Sequence, residues 1–186
     1  MLLLTSIKKF INFAPMNKAG FGGGCHWCTE AVFLSLKGVQ KVEQGWIASQ
    51  PPHHTFSEAV IVEYDPAVIS LEDLMLVHLC THAATSNHSM RHKYRSAVYW
   101  FNEEEESIMK SIISDVQVHF SEPIITQVLP FAAFKTSLPE HLNYYQSNPA
   151  KPFCTVYIHP KLQLLRERFA HLIKQNTRKV NQPTGY

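Results

Sequence analysis

Hydrophobic and polar positions along the chain divide it into short strands and amphipathic helices. Phe56 to Tyr64 alternates and is rich in β-branched residues, which predicts a strand. Val39 to Ile47 reads as a second strand, joined to the first through the loop Gln50-Pro51-Pro52-His53-His54. So short a connection makes the two an antiparallel hairpin. Upstream, Lys18 to Phe21 is a short strand running into Gly22-Gly23-Gly24. A helix follows from about Cys25 to Lys37, with Val32, Phe33 and Leu36 as its apolar face and Gly38 as its stop. Ser70-Leu71-Glu72-Asp73 forms a capping box for a helix reaching about His82.

Ala83 to Lys93 is polar and has no period, a loop long enough to suggest function. Tyr94 to Phe101 reads as a strand, and Asn102 caps a helix through about His119. Ile124 to Leu129 reads as a strand, and Pro130 to Ser137 connects onward. Pro139 to Gln146 is expected to be a short helix, Cys154 to Ile158 extended, and Lys161 to Lys174 helical. Helices interspersed with strands of mixed direction predict an α+β fold. Its form is a two-layer α/β sandwich with a split βαβ (ferredoxin-like) core and a coil-rich C-terminal segment.

The 186 residues suit one compact domain with a sizeable core, and 45% of them are hydrophobic. The ordered pattern begins after Met16, so the expected domain is 16–186, with 1–15 a disordered arm. The apolar start Leu2-Leu3-Leu4 is too short for the core of a signal peptide, and no stretch has the length of a membrane span. The net charge of +2 is scattered, without the basic stripe that nucleic-acid binding uses. The Glu103 to Glu106 run reads as the solvated first turn of a helix. Four cysteines are too few to staple a secreted scaffold of this size and suit redox or metal chemistry in the cytoplasm.

The chemistry concentrates in Gly22-Gly23-Gly24-Cys25-His26-Trp27-Cys28-Thr29-Glu30. The run places Cys25 where a helix begins, and unpaired backbone N–H groups there stabilise a thiolate. Trp27 offers an aromatic wall for a small apolar group. Cys28 lies one turn along, so it is either a disulfide partner or a thiol packed under the first turn. His78 and His82, four apart, share a helix face but lack the glutamate of a zinc-protease pair, so polar or core positions are the reading. Glu58 is a carboxylate within an apolar strand. It is either solvent-facing or, if turned into a pocket, a proton donor. Tyr94, where the long loop meets a strand, is either a hydroxyl donor or a core anchor.

Together these segments resemble peptide methionine sulfoxide reductase A. Phe21-Gly22-Gly23-Gly24-Cys25-His26-Trp27-Cys28 is similar to the family's glycine-glycine-cysteine-phenylalanine-tryptophan signature. Glu58-Ala59-Val60, Tyr64-Asp65-Pro66, Tyr94-Arg95-Ser96-Ala97-Val98-Tyr99, Tyr144-Tyr145, Asn148-Pro149 and Pro152-Phe153-Cys154 follow in the family's order. The resemblance implies a thiol reductase acting on methionine-(S)-sulfoxide, free or in proteins. Cys25 would be the attacking thiolate, Glu58 and Tyr94 would bind and protonate the sulfoxide oxygen, and Trp27 would wall the methyl pocket. A second thiol would condense with the Cys25 sulfenic acid, and thioredoxin or another dithiol would restore the enzyme. Cys154 matches the family's C-terminal resolving cysteine and is the favoured partner, with Cys28 the alternative. No bound cofactor or metal is implied, and a monomer is expected.

Three departures stand out. His26 occupies the usual phenylalanine position of the methyl pocket. The loop before Glu58 is short and lacks the family's second tyrosine, with Phe56 nearby. The aspartate expected before Tyr94 is missing from His88-Ser89-Met90-Arg91. These motivate two alternatives: a weakened sulfoxide- or peptide-binding paralogue, and a zinc- or redox-sensing module at Cys25, His26 and Cys28.

Overall fold

A computed structural model describes residues 16–175, so the expected arm 1–15 and the end of the tail lie outside the described residues. In chain order the elements are β1 (Asn17–Gly22), α1 (His26–Leu34), β2 (Val39–Ala48), β3 (Ser57–Tyr64), α2 (Leu71–Thr81), β4 (Ala97–Trp100), α3 (Glu104–Val116), β5 (Gln127–Pro130), β6 (Ala133–Thr136), α4 (Tyr144–Ser147) and α5 (His159–Arg168). The fold is mixed α+β around one six-stranded sheet of order β5-β4-β1-β3-β2-β6. Every neighbouring pair is antiparallel except β4 and β5.

Strand alternation sends successive side chains to opposite faces. Phe21, Val60, Val62, Tyr64 and Val98 face the helices and join Phe33, Leu36, Leu74, Met75, Met109 and Leu165 in the main core. Each such buried side chain contributes on the order of 1.5–3 kcal/mol of burial free energy. Ile47, Ala59, Ile61, Ala97 and Tyr99 face the other way, under Phe101, Leu129, Phe131 and Phe134. Helices α1, α2, α3 and α5 therefore cover one face, and the segment after β4 covers the other.

Local signals explain the boundaries. The Ser70 hydroxyl accepts from the Asp73 amide at 3.0 Å, and Asp73 reaches back to Ser70, which completes the capping box of α2. Gly38 takes φ 75°, a left-handed conformation that ends the α1 segment without a Cβ penalty. The hairpin of β2 and β3 forms as expected, with Trp46 opposite Glu58.

Several elements depart from the sequence pattern. The strand expected from Tyr94 begins only at Ala97. Residues 93–95 are tied instead to the start of β3: the Glu58 amide donates to the Lys93 carbonyl at 3.0 Å and the Arg95 amide to the Ser57 hydroxyl at 2.8 Å. Asn102 does not cap α3; Glu105 folds back and accepts from the Phe101 and Asn102 amides at 2.9 and 3.2 Å. The connector Pro130 to Ser137 contains β6, which adds to the edge of β2. The helix expected over Pro139 to Gln146 is split by Asn143 at φ 52° into a short 3₁₀ turn and α4.

Cys154–Ile158 is a π-helical turn, not extended. It runs directly into α5, with Cys154 and Ile158 completely buried, so core packing outweighs the β preference of Thr155, Val156, Tyr157 and Ile158. The last predicted helix ends at Arg168, and a 3₁₀ turn over Ala170–Leu172 follows.

Candidate active site

The glycine run ends at the N-terminus of α1 and leaves Cys25 as its N-cap, half-buried. Gly23, at φ 154°, must be glycine: a Cβ there would overlap the His82 imidazole. That ring is fixed from both ends. Its Nδ1 donates to the His78 carbonyl at 2.7 Å, and its Nε2 bonds the Ser96 hydroxyl at 2.8 Å. His78 stacks on it at 4.2 Å and bonds the Gly22 carbonyl through Nε2 at 2.9 Å. The two histidines are thus a shelf beneath the glycine turn. Burial drives the His78 pKa well below the ordinary value and that of His82 down to about 4, so both rings are neutral near pH 7.

The turn delivers the Cys25 sulfur to the backbone amides of the first turn of α1. Its pKa lies below the usual thiol value, first because the Cys28 thiol donates to it, then because the Trp27 and Cys28 amides do. Burial and the charge of Glu58 work in the opposite direction and do not prevail. Cys28 is driven strongly upward by the same hydrogen bond, so of the two thiols Cys25 is the one that ionises more readily.

Glu58 comes from β3 and is 6% exposed, so the strand turns it inward. Its Oε2 accepts from the His26 amide at 3.2 Å, which places the carboxylate over the first turn of α1, beside Cys25. The Lys93 ammonium stands 3.4 Å from Oε1. Lys93 also lies over the Tyr94 ring, 5.0 Å from its centroid, and its pKa is raised first by the Tyr94 hydroxyl and then by Glu58. Cys25, Glu58 and Tyr94, far apart in sequence, are therefore linked through the His26 amide and Lys93.

His26 is buried, and its Nδ1 donates to the Gly45 carbonyl at 3.0 Å while standing 3.8 Å from Glu58. Burial lowers its pKa, so the ring is a neutral wall against Trp46, 5.0 Å away edge-on. Trp27 stacks on Tyr144 with centroids 4.1 Å apart and meets Phe153 edge-on at 5.4 Å. Glu30, one turn along α1 from Trp27, is buried and accepts from the Asn143 and Tyr144 amides at 3.0 and 3.3 Å. Its carboxylate anchors the start of α4 and so the ring that covers Trp27.

All four cysteines are free thiols. Cys28 is buried and lies 3.9 Å from the Tyr157 carbonyl as well as against Cys25. Cys154 is fully buried in the π-helical turn and donates to the Asn148 carbonyl at 3.6 Å. Cys80 lies apart, toward Arg168. Phe56 is 48% exposed and supplies no hydroxyl. Arg91, in the segment that lacks the aspartate, donates to the carbonyls of Gly23, Tyr94, Ser86 and Ala83, and so ties the long loop to the glycine turn. Among the described residues no three His, Cys, Asp or Glu side chains gather to hold a metal ion.

Lys93, Glu30 and Arg91 were not read from sequence as parts of this site. Their partners include Glu58 for Lys93, Gly23 for Arg91 and the Asn143 and Tyr144 amides for Glu30, all distant in sequence. The glutamate of the Cys25-His26-Trp27-Cys28-Thr29-Glu30 segment was the one available signal.

Comparisons with known proteins agree with this arrangement. A family model described as Peptide methionine sulfoxide reductase matches residues 17–173. A peptide methionine sulfoxide reductase MsrA of Acinetobacter baumannii is 34% identical over 173 residues, covering 86% of this chain and 99% of that one. The Deinococcus radiodurans MsrA is 34% identical over 177 residues, covering 87% and 86%. Among solved structures, reduced Mxr1 from Saccharomyces cerevisiae superposes with a TM-score of 0.66 at 21% identity, over 78% of this chain and 94% of that one. Mxr1 in complex with Trx2 gives 0.56 at 20% identity, over 72% and 89%.

Proposed function

The chain belongs to the peptide methionine sulfoxide reductase family, and from that premise we propose how its own residues carry out the reduction. The enzyme is an oxidoreductase that converts methionine sulfoxide to methionine. In our reading Cys25 is the nucleophile. Its thiolate attacks the sulfoxide sulfur of the S epimer while Glu58, aided by the Tyr94 hydroxyl, delivers a proton to the oxygen. The oxygen passes from the methionine sulfur to the Cys25 sulfur, one S–O bond breaking as the other forms; methionine departs and Cys25 is left as a sulfenic acid. Trp27, braced by Tyr144 and Phe153, and the neutral His26 ring form the wall for the substrate methyl group.

We assign Cys28 as the first resolving thiol. Its sulfur attacks that of Cys25, the S–O bond breaks, an S–S bond forms, and the hydroxide leaves with the Cys28 proton as water. Cys154, the partner that the resemblance favours, is fully buried in a π-helical turn where an extended segment was expected. The buried π-helical turn favours Cys154 as a later partner in thiol–disulfide exchange. Two thiols of a thioredoxin-like reductant then return the enzyme to its starting state, a role suggested by the complex of the relative Mxr1 with Trx2. We further read β4-β1-β3-β2, with its two crossing helices, as a split βαβ (ferredoxin-like) core, and the enzyme as a cytoplasmic monomer.

The observation that carries the reading is the Glu58 carboxylate on the His26 amide, beside a cysteine at the start of α1 whose pKa lies below the usual thiol value. The test is reduction of both sulfoxide epimers with a dithiol, followed by mass-spectrometric disulfide mapping after one turnover. We expect Cys25→Ser to abolish turnover, Cys154→Ser to retain a Cys25–Cys28 disulfide, and Cys28→Ser to accumulate a sulfenic acid that dimedone traps. Full activity in Cys25→Ser, or sulfoxide binding without turnover in the unaltered protein, overturns the reading.

A further inference from the structure

A lysine from α5 enters the same small cavity as the two thiols. Gly24, Cys25, Cys28, Thr29, His78 and Lys161 are among the residues that line it. Its volume is about 20 Å³, and Lys161, half-buried, also borders a more open hollow with Cys80, Pro160 and Leu164. The Lys161 ammonium donates to the Thr81 carbonyl, which fixes it at the end of α2. Among the described residues no carboxylate pairs with it. A desolvated cation without an anion is costly, and a buried lysine ordinarily responds by losing its proton.

The other groups facing this cavity are the two histidines and the two thiols. His78 and His82 are neutral and supply no counter-charge. Burial works against the charged form of Lys161, and Cys28 first and Cys25 second are the groups that favour it. Glu58 acts on Cys25 in the sense opposite to a cation.

We propose that Lys161 is the counter-cation of the Cys25–Cys28 pair, an electrostatic positioning residue that keeps the nucleophile ionised. This rests on the assignment of Cys25 as nucleophile and deepens it. The helix N-terminus supplies partial charges from one side, and Lys161 supplies a full charge from the other. An opposite charge at close range favours the thiolate by about one to three pKa units. Once Cys25 is a sulfenic acid, the same ammonium faces Cys28 and favours its ionisation for the attack that forms the disulfide.

The test is the pH dependence of iodoacetamide alkylation at Cys25, read by peptide mass spectrometry in the full-length protein. Lys161→Gln removes the charge but keeps a donor for the Thr81 carbonyl, and Lys161→Arg keeps the charge. We expect the alkylation midpoint to rise by about one unit or more in Lys161→Gln, with alkylation at pH 7 about tenfold slower. Lys161→Arg should stay near the unaltered protein. An unchanged midpoint in folded Lys161→Gln overturns the proposal while leaving Cys25 as nucleophile; an unreactive Cys25 in the unaltered protein sinks the nucleophile assignment itself. If Lys161→Gln does not fold, NMR titration of the Lys161 ammonium in the unaltered protein decides. Its pKa should fall when Cys25 is blocked by alkylation with iodoacetamide, and no change on blocking overturns the proposal.

Discussion

The Trp27 indole lies flat on the Tyr144 phenol, with planes 4° apart and centroids 4.1 Å apart. One wall of the site therefore belongs to α1 and its backing to the C-terminal segment. Stacking of this kind contributes about 0.5–1.5 kcal/mol beyond area burial. Tyr144→Leu should raise the KM for methionine sulfoxide about threefold to tenfold, with a smaller change in kcat, in steady-state assays. Glu30→Gln should move KM in the same direction, because it weakens the anchor of α4.

Glu58 acts on Cys25 in two opposed ways. As a carboxylate it repels the thiolate; in our reading it takes a proton from water and passes it to the sulfoxide oxygen as that oxygen is transferred. Glu58→Gln should therefore lower kcat/KM about 10²–10³-fold. The same variant should lower the midpoint for alkylation of Cys25, since a negative neighbour is gone. Parallel rate and alkylation profiles separate the two effects, and a rise in the midpoint would contradict the geometry.

The glycine turn has no room for a side chain at Gly23. Gly23→Ala must both strain the backbone at φ 154° and displace the His82 ring, which is hydrogen-bonded at both nitrogens. We expect a loss of about 1–3 kcal/mol in urea unfolding. Reactivity at Cys25 should fall too, because the turn that presents it shifts.

The histidine shelf makes stability depend on pH. The folded pKa of His82 is about 4, against 6.5 for the unfolded ring, so below 6.5 the unfolded chain binds the proton more readily. Above 6.5 the ring has no effect on the balance. As pH falls from 6.5 toward 4 the folded state loses ground, by about 2 kcal/mol at pH 5 from this group alone. His78, depressed in the same direction, adds to the loss. Urea midpoints at pH 7 and pH 5 should show the drop, and His82→Gln should shrink it.

The contiguous part of the site was legible because its residues share one helix turn. Cys25, Trp27 and Cys28 could be placed from the glycine run and the start of the helical pattern. The hairpin of β2 and β3 and the box at Ser70 were legible for the same reason: local alternation and turn chemistry decide them. What escaped were features set by distant partners. β6 exists because four residues find the free edge of β2, not because they carry strand periodicity. Thr155 to Ile158 look extended in isolation and become helical once Ile158 is drawn into the core. Glu58 could be read either way until the register of β3 turned it inward. Lys161 stood at the start of the last expected helix, with nothing to show that it would share a cavity with two thiols.

The sheet is bounded on each side by a four-residue strand, β5 and β6. β5 ends in Pro130, which has no N–H to offer, and β6 carries Lys135 with an exposed side chain. An unfolded polypeptide searching for a border to pair with finds only a stub there, interrupted and charged. If, as our reading allows, the sulfoxide arrives within an oxidised chain, the enzyme can meet it at its thiol without offering a template for aggregation.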